Sequence, residues 1–179
     1  MYVAGDMASV PYWRGTPGTR IRVEHWNMAV QQGRIAARNM LNPNQPAPLR
    51  AVPFFWTSQF RSLRCAGHCD LDTVEETIVH GKPDKFVAYL VAHGRVRRTD
   101  LPMAWASSWP RSHGCVCGCV CRCSQVYAVA TLNSDPAAVA ALELLRLGRF
   151  PRPDQLRDAG SFDLPKYVAG VAHKLGKRA

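Results

Sequence analysis

The clearest periodic pattern lies in residues 24–41, EHWNMAVQQGRIAARNML, where apolar residues recur three and four positions apart. This spacing predicts an amphipathic helix, and Glu24 near its start suits the positive end of the helix dipole. Gly33 costs up to about 1 kcal/mol relative to Ala inside a helix, so we expect it to pack closely against a neighbouring element. Ahead of the helix, residues 2–6 predict the end of a strand that runs into a Gly-Asp turn, and residues 11–22 predict a loop.

The chain then alternates between turn residues and short apolar runs. Residues 42–53 contain four prolines, which predicts a linker and a domain boundary. Gly67, Gly81 and Gly94 stand where turns between strands are needed. The runs that predict strands are 54–60, 63–67, 76–80, 86–92 and 126–132.

A second helix is predicted after the last strand. Asp135 is the expected N-cap, Pro136 the expected first helical residue, and the helix should stop near Gly148. Beyond Phe150 the periodicity is weak, so this part is interpreted as a tail. The predicted fold class is α+β, with an antiparallel sheet packed on a helix. The predicted division of the chain is 1–42, 43–53, 54–150 and 151–179.

Composition narrows the class of protein. The chain has 179 residues, with 23 Lys+Arg against 13 Asp+Glu and a formal net charge of +10. That length suits one domain or slightly more, and no apolar run reaches the 18 or so residues of a membrane span. The first residues lack a basic segment, so we expect no signal peptide and an intracellular protein. No block of five or six like charges occurs, so nucleic-acid binding is not expected.

Residues 95–125 differ in composition from the rest of the chain. They hold five Arg against one Asp, and five of the seven Cys. Three interpretations are open: a zinc or copper(I) site, a strand with all thiols on one side, or an insertion. We favour the insertion, of translated-intron or gene-model origin, because long loops inside compact domains are uncommon. The weak candidate metal ligands are Cys115, Cys117, Cys119, Cys121 and Cys123, with His113 beside them.

Three ordered motifs resemble a known family. The chain looks like the C-terminal third of FAD- and NAD(P)H-dependent reductases of the pyridine nucleotide-disulfide type. The matching motifs are VAGDMAS, EHWNMAVQQGRIAARNML and VPFFWTSQF, followed by VYAVATLNSDPAAVAALELLRLGR. The resemblance is to the mitochondrion-associated, apoptosis-inducing-factor-like branch, and it covers about 1–94 and 126–150. It implies that 1–42 are the C-terminal edge, a strand and a helix, of a Rossmann-like FAD domain, and that 54–150 are the reductase C-terminal domain, through which a homodimer could form. The implied location is mitochondrial or cytoplasmic.

The resemblance implies cofactor-binding roles for five residues. Asp6 matches the aspartate that accepts hydrogen bonds from the FAD ribityl chain. His25 and Trp26 match the helix start beside the isoalloxazine edge, where the helix dipole can stabilise a reduced flavin. Glu24, with His25, matches positions that contact nicotinamide. Trp56 matches an aromatic residue that reaches the flavin and nicotinamide pocket, although core packing is an equally good interpretation; for Phe54 and Phe55 core packing is preferred.

The dinucleotide-binding signature is missing from the sequence. No G-x-G-x-x-G turn occurs for either FAD or NAD(P)H. We therefore expect a C-terminal fragment of an oxidoreductase that does not turn over alone, with an electron acceptor that the sequence does not specify. The alternatives are a basic nucleic-acid-binding module and a Cys-rich metal-binding protein.

Overall fold

The computed structural model describes residues 1–15, 18–96 and 121–176. Its elements in chain order are β1 (Val10–Pro11), β2 (Arg20–Ile21), α1 (Trp26–Leu41), β3 (Phe54–Thr57), β4 (Leu63–Gly67), a 3₁₀ turn (Leu71–Thr73), β5 (Val74–Lys82), β6 (Lys85–Val96), β7 (Cys121–Leu132), α2 (Asp135–Leu147), α3 (Pro153–Asp158) and α4 (Leu164–Gly176). The predicted α+β class, an antiparallel sheet with helices, is confirmed.

The five strands β3 to β7 form one antiparallel sheet in the order β3-β4-β7-β6-β5. All five predicted strands exist; the second, over 63–67, has the predicted ends, and the other four differ in theirs. The first stops at Thr57 rather than at residue 60, because its pairing with β4 ends with Thr57 opposite Leu63. Phe60 lies in the connection between the two strands, with a φ of 62° and a fully exposed side chain. Gly81 is paired with Phe86, so it lies just before the β5–β6 turn rather than in it as predicted. A Cβ there would approach the Lys85 carbonyl oxygen to 2.3 Å.

The central hairpin of β6 and β7 is longer than predicted. Pairing continues past the expected turn at Gly94, through Gly94 with Cys123 and Val96 with Cys121. The predicted turn at Gly94 is therefore wrong, because the ladder continues on both sides of it. Parts of the interpreted insertion, 95–96 and 121–125, belong to these two strands. The candidate ligands Cys115, Cys117, Cys119 and His113 lie outside the described residues.

Helix α2 covers one face of the sheet and makes the core. Its N-cap is Ser134 rather than the predicted Asp135, and Gly148 ends it in the left-handed conformation, as predicted. Alternation along the strands points Ala66, Val129 and Tyr89 to this face, where they are fully buried. The helix packs on this face with Ala138, Ala141, Leu144 and Leu145, all at 0% exposure. Burial of this apolar surface is the main stabilising contribution to the fold.

The residues interpreted as a tail form two further helices on this core. Leu156 of α3 and Leu164 at the start of α4 are fully buried and join the hydrophobic cluster. Arg157 also binds the carboxylate of Glu76 on β5 through two hydrogen bonds of 2.8 and 2.7 Å. The sequence pattern misses these helices because they bury few residues each: Pro153 and Leu156 in α3, and Leu164 in α4.

The N-terminal part is organised around α1. No strand forms over residues 2–6; the backbone turns there instead, with the Ala8 N–H donating to the Gly5 carbonyl. The helix predicted over 24–41 is confirmed from Trp26 onward. A Cβ on Gly33 would meet nothing within 4 Å, so the predicted close packing of Gly33 is wrong for the residues that the structure describes.

Discrete polar contacts attach this N-terminal part to the sheet. The Arg14 guanidinium donates from Nη1 to the Leu145 carbonyl in the last turn of α2, at 2.7 Å. The Trp13 indole N–H donates to the Ala51 carbonyl at 3.3 Å, and the Tyr12 ring meets His68 edge-on at 5.8 Å between centroids. None of the helices within the described ranges has the length and apolarity needed to cross a bilayer.

Candidate functional site

The first turn of α1 lies beside the edge strand β3. His25 is the N-cap: its Nδ1 accepts a hydrogen bond from the Asn27 N–H at 3.4 Å. The first turn contains no acidic residue, so within the helix no carboxylate offsets the partial positive charge of this terminus. The helix start is therefore suited to a ligand that is electron-rich or carries negative charge.

Four aromatic rings cluster at this helix start. The His25 ring lies 4.5 Å from Trp56 and 5.4 Å from Phe55, measured between centroids, and both contacts are edge-on. The Trp26 ring meets Trp56 at 6.2 Å and 89°. These rings are only partly covered: Trp26 is 69% exposed, Phe55 43% and Trp56 36%. A flat apolar ligand could cover them, since aromatic rings gain from stacked or edge-on contacts.

Arg22 connects the two acidic residues of the predicted site. Its Nη2 forms an ion pair with the Glu24 carboxylate, and its Nη1 donates to the backbone carbonyl of Asp6 at 3.5 Å. The Asp6 side chain is exposed, and its carboxylate has no hydrogen bond or ion pair with any described residue. It is therefore available to accept hydrogen bonds from a ligand.

A buried glutamine fixes the turn that presents Asp6. The Gly5 N–H donates to Oε1 of Gln32 at 2.7 Å, and Gln32 is 2% exposed. Gly5 has a φ of +93°, a conformation that side-chain-bearing residues rarely adopt. The Gln32 Nε2 is buried without a hydrogen-bond partner among the described residues, so the interior beside this turn holds an unused donor.

A second group of titratable residues lies where the N-terminal part meets the sheet. Burial raises the pKa of Tyr12 to about 12. Burial also lowers the pKa of Arg14 and of His68, and raises the pKa of the Cys69 thiol. These shifts follow mainly from desolvation. They agree with a joint between two parts of the fold in which Tyr12 is buried and Arg14, His68 and Cys69 are partly buried.

The structure brings most of the predicted site residues together. His25, Trp26 and Trp56 are in direct ring contact, while Glu24 and Asp6 are linked through Arg22. The interpretation of Phe55 as a core residue is wrong, because Phe55 is exposed and contacts His25. Phe54 does pack against the core.

Sequence reasoning also missed Arg22 and Gln32. The available signal for Gln32 was its place on the inward face of α1, next to the buried Met28 and Ala36. Among the described residues no group of His, Cys, Asp and Glu could hold a metal ion. The predicted metal ligands lie in or beside the part of the chain outside the description, so that hypothesis stays a prediction.

The fold as a whole resembles a reductase of known structure. No family model matches the chain. A chain of the crystal structure of the covalent putidaredoxin reductase–putidaredoxin complex superposes with a TM-score of 0.57 over 95% of this chain and 32% of that chain, at 19% identity. This likeness concerns the fold.

Sequence relatives agree with that class. The chain is 31% identical over 153 residues to apoptosis-inducing factor 3 of Mus musculus and of Homo sapiens, matching 83% of this chain. A 57-residue stretch is 46% identical to mitochondrial apoptosis-inducing factor 1 of Dictyostelium discoideum, over 32% of this chain and 10% of that protein. The predicted resemblance to FAD- and NAD(P)-dependent oxidoreductases of the apoptosis-inducing-factor type is thereby confirmed. The chain spans 19% of the length of the mouse and human relatives.

Proposed function

We propose that the chain supplies one edge of the FAD site, together with the C-terminal domain, of an NAD(P)H-dependent oxidoreductase. The observation that carries this proposal is the partly exposed cluster of His25, Trp26, Phe55 and Trp56 at the start of α1, whose first turn contains no acidic residue. The similarity to apoptosis-inducing factor 3 supports the same assignment.

The residues present fit a flavin ring and its ribityl chain at that edge. The helix dipole of α1 would stabilise negative charge on the reduced ring system. Trp26 and Trp56 offer apolar surface to its plane, and the Trp56 ring contacts those of both Trp26 and His25. The unpaired Asp6 carboxylate would accept hydrogen bonds from ribityl hydroxyls. The backbone turn that carries Asp6 is held by the Gly5–Gln32 hydrogen bond and by the bond from Arg22 to the Asp6 carbonyl.

The proposed role of Glu24 concerns the nicotinamide side. Glu24 and His25 are adjacent in the chain, and the ion pair with Arg22 fixes the Glu24 carboxylate. When bound, FAD would accept a hydride from NAD(P)H and pass electrons to an acceptor. The residues of this chain would orient the two rings and exclude water at one side.

We further propose that the chain does not turn over alone. Hydride transfer requires both dinucleotides to be held in place, and neither G-x-G-x-x-G turn occurs in the sequence. The remaining cofactor contacts would therefore come from further protein, as expected for a C-terminal fragment. A mitochondrial or cytoplasmic location follows from the same similarity, and fractionation of cells that express the tagged chain tests it.

A chimera tests the proposed FAD edge. The chain replaces the matched region of mouse apoptosis-inducing factor 3, and flavin absorbance is measured after purification and dialysis. We expect the chimera to retain FAD, and Asp6→Ala or His25→Ala to lower the retained fraction at least several-fold. Unchanged retention in both variants would contradict the proposed roles.

The matched control is Val139→Ala, since Val139 is exposed on α2 and distant from the cluster in sequence. The chain alone serves as a second control, and we expect no NAD(P)H oxidation from it. Turnover by the isolated chain, with added FAD, would overturn the fragment interpretation while leaving the ring contacts unaffected.

The proposed homodimer would form through the C-terminal domain. The proposed contact surface is the sheet face opposite α2. One row across that face contains Phe55, Cys65 and Val79, and Val79 is 56% exposed. Light scattering on the wild type and on Val79→Lys tests this, with Val139→Lys as control. A monomeric wild-type chain would exclude the dimer.

A further inference from the structure

An open cleft of about 490 Å³ lies between α1, the segment 49–52 and α2. It uses a different face of α1 from the aromatic cluster, because none of His25, Trp26, Phe55 and Trp56 lines it. Its size is within the usual range for small-molecule sites. The cleft is therefore a separate feature from the proposed flavin edge.

The charge of this cleft has one predominant sign. Of the described residues that line it, four are arginines, Arg34, Arg38, Arg50 and Arg146, and one, Glu143, is acidic. Glu143 is engaged by Arg146 through two hydrogen bonds of 2.9 and 2.7 Å. Arg34 and Arg38 consequently leave a concentrated positive charge on the α1 wall of the cleft.

Two of these arginines are neighbours on the same face of α1. Arg34 and Arg38 are four positions apart on α1, a spacing that puts side chains on the same face about 5–6 Å apart at Cβ. Neither forms an ion pair with a residue that the structure describes. Like charges at this spacing destabilise a helix, so an anion between them would relieve a repulsion that the protein itself leaves in place.

The rest of the lining strengthens an anion's attraction. Ile35, Val52 and Leu142 line the same cleft. Apolar walls beside charges of one sign focus the electrostatic field and raise the local concentration of counter-ions. Guanidinium groups present planar, paired donors that match phosphate oxygens, and Asn27 and Gln31 add uncharged hydrogen-bonding groups at one wall.

We propose that this cleft binds a compact anion with several phosphate groups, held mainly by Arg34 and Arg38. The phosphate groups could come from an inorganic polyphosphate or from a nucleotide. The proposal does not depend on flavin binding, because the cleft and the charges belong to this chain alone.

Calorimetric titration of the full chain with inorganic tripolyphosphate at low ionic strength tests the proposal. We expect one site per chain, and at least tenfold weaker binding in Arg34→Gln/Arg38→Gln. Glu143→Gln removes the acidic charge and frees Arg146, so it should bind severalfold more tightly. Added salt should weaken binding by screening the charges.

The matched control is Arg61→Gln/Lys166→Gln, which removes two positive charges from exposed positions outside the cleft. Equal weakening in this control would show general attraction to a basic chain and would overturn the proposal, as would unchanged binding in Arg34→Gln/Arg38→Gln. Circular dichroism verifies that each variant is folded.

ATP and adenosine identify the source of the phosphate groups. Tighter binding of ATP than of tripolyphosphate supports a nucleotide, and equal binding supports recognition of the phosphates alone. Adenosine should not bind; binding of adenosine as tight as that of ATP would overturn the assignment of the cleft to phosphate.

Discussion

The two parts of this molecule are stabilised in different ways. The sheet and its helices share one hydrophobic cluster, whose buried members among the described residues extend from Val52 to Leu164. The part before it has a smaller interior around Met28, and seven of its large hydrophobic side chains are exposed: Met1, Tyr2, Val3, Met7, Trp26, Met40 and Leu41. Polar contacts from Arg14 and Trp13 connect the two parts.

This difference shows which part can fold on its own contacts. A part that buries its apolar side chains internally needs no neighbour, whereas exposed apolar surface of this kind often marks an interaction site. The aromatic cluster combines α1 with β3, and the basic cleft combines α1 with α2. Both candidate functional surfaces therefore lie where the part with less internal packing meets the sheet region.

The largest expected effect is in the core of the sheet region. Leu144→Ala removes a fully buried side chain that α2 packs on the sheet, and it should lower the free energy of unfolding by about 2–5 kcal/mol. Urea denaturation measures this. Val139→Ala on the exposed side of the same helix should change it by less than about 0.5 kcal/mol; equal effects would show that α2 is not held by its buried face.

A smaller effect is expected at the joint between the two parts. Arg14→Gln removes the charged donor to the Leu145 carbonyl, which should cost about 1–3 kcal/mol. Amide hydrogen exchange should rise in residues 1–41 and stay unchanged in β4, β6 and β7. Arg34→Gln is the charge-matched control in the same part. Faster exchange throughout the sheet would contradict the independent stabilisation of the N-terminal part and the sheet region.

The ion pair at the start of α2 gives a pH-dependent effect. The hydrogen bonds from Arg64 and Ser62 lower the pKa of Asp135 from 3.8 to about 2. A pKa lowered by folding stabilises the fold above the unfolded-state value and loses that contribution as pH falls through the folded-state value. Asp135→Asn should therefore be less stable than wild type at pH 7, and the difference should shrink below about pH 4. A pH-independent difference in urea denaturation would exclude this pKa shift.

The smallest effect is expected at the most exposed aromatic residue of the site. Trp26→Ala removes a large side chain that is 69% exposed and meets only Trp56 among the ring contacts of the described residues. Its cost should stay below about 1 kcal/mol, far less than that of Leu144→Ala. A cost of several kcal/mol would mean that Trp26 supports the fold rather than a ligand surface.

The sequence predicted the strands and the first two helices better than the loops and the last two helices. Strand alternation and the Pro136–Gly148 pair were sufficient for the sheet and α2, because these elements depend on local periodicity and capping. Helices α3 and α4 escaped because their burial depends on the surface that α2 and the sheet offer. Residues 2–6 read as a strand but form none, since a strand requires a partner as well as a pattern.

The candidate site was predictable only in part, for a related reason. His25 and Trp56 were named through resemblance, but the contact between them joins residues 31 positions apart, which no local pattern contains. Arg22 and Gln32 act through long-range hydrogen bonds to Asp6 and Gly5. Such contacts follow from tertiary structure, so residue types alone do not reveal them.

The extended pairing of β6 and β7 has a consequence for the length of the chain. Val96 and Cys121, which flank the intervening 24 residues, are paired in register and therefore lie side by side. The entropic cost of closing a loop grows only with the logarithm of the loop's length. Replacing these residues with a four-residue turn would therefore stabilise the folded state by roughly 1–2 kcal/mol. The hairpin thus tolerates great variation in length at this one point, at little thermodynamic cost to the sheet.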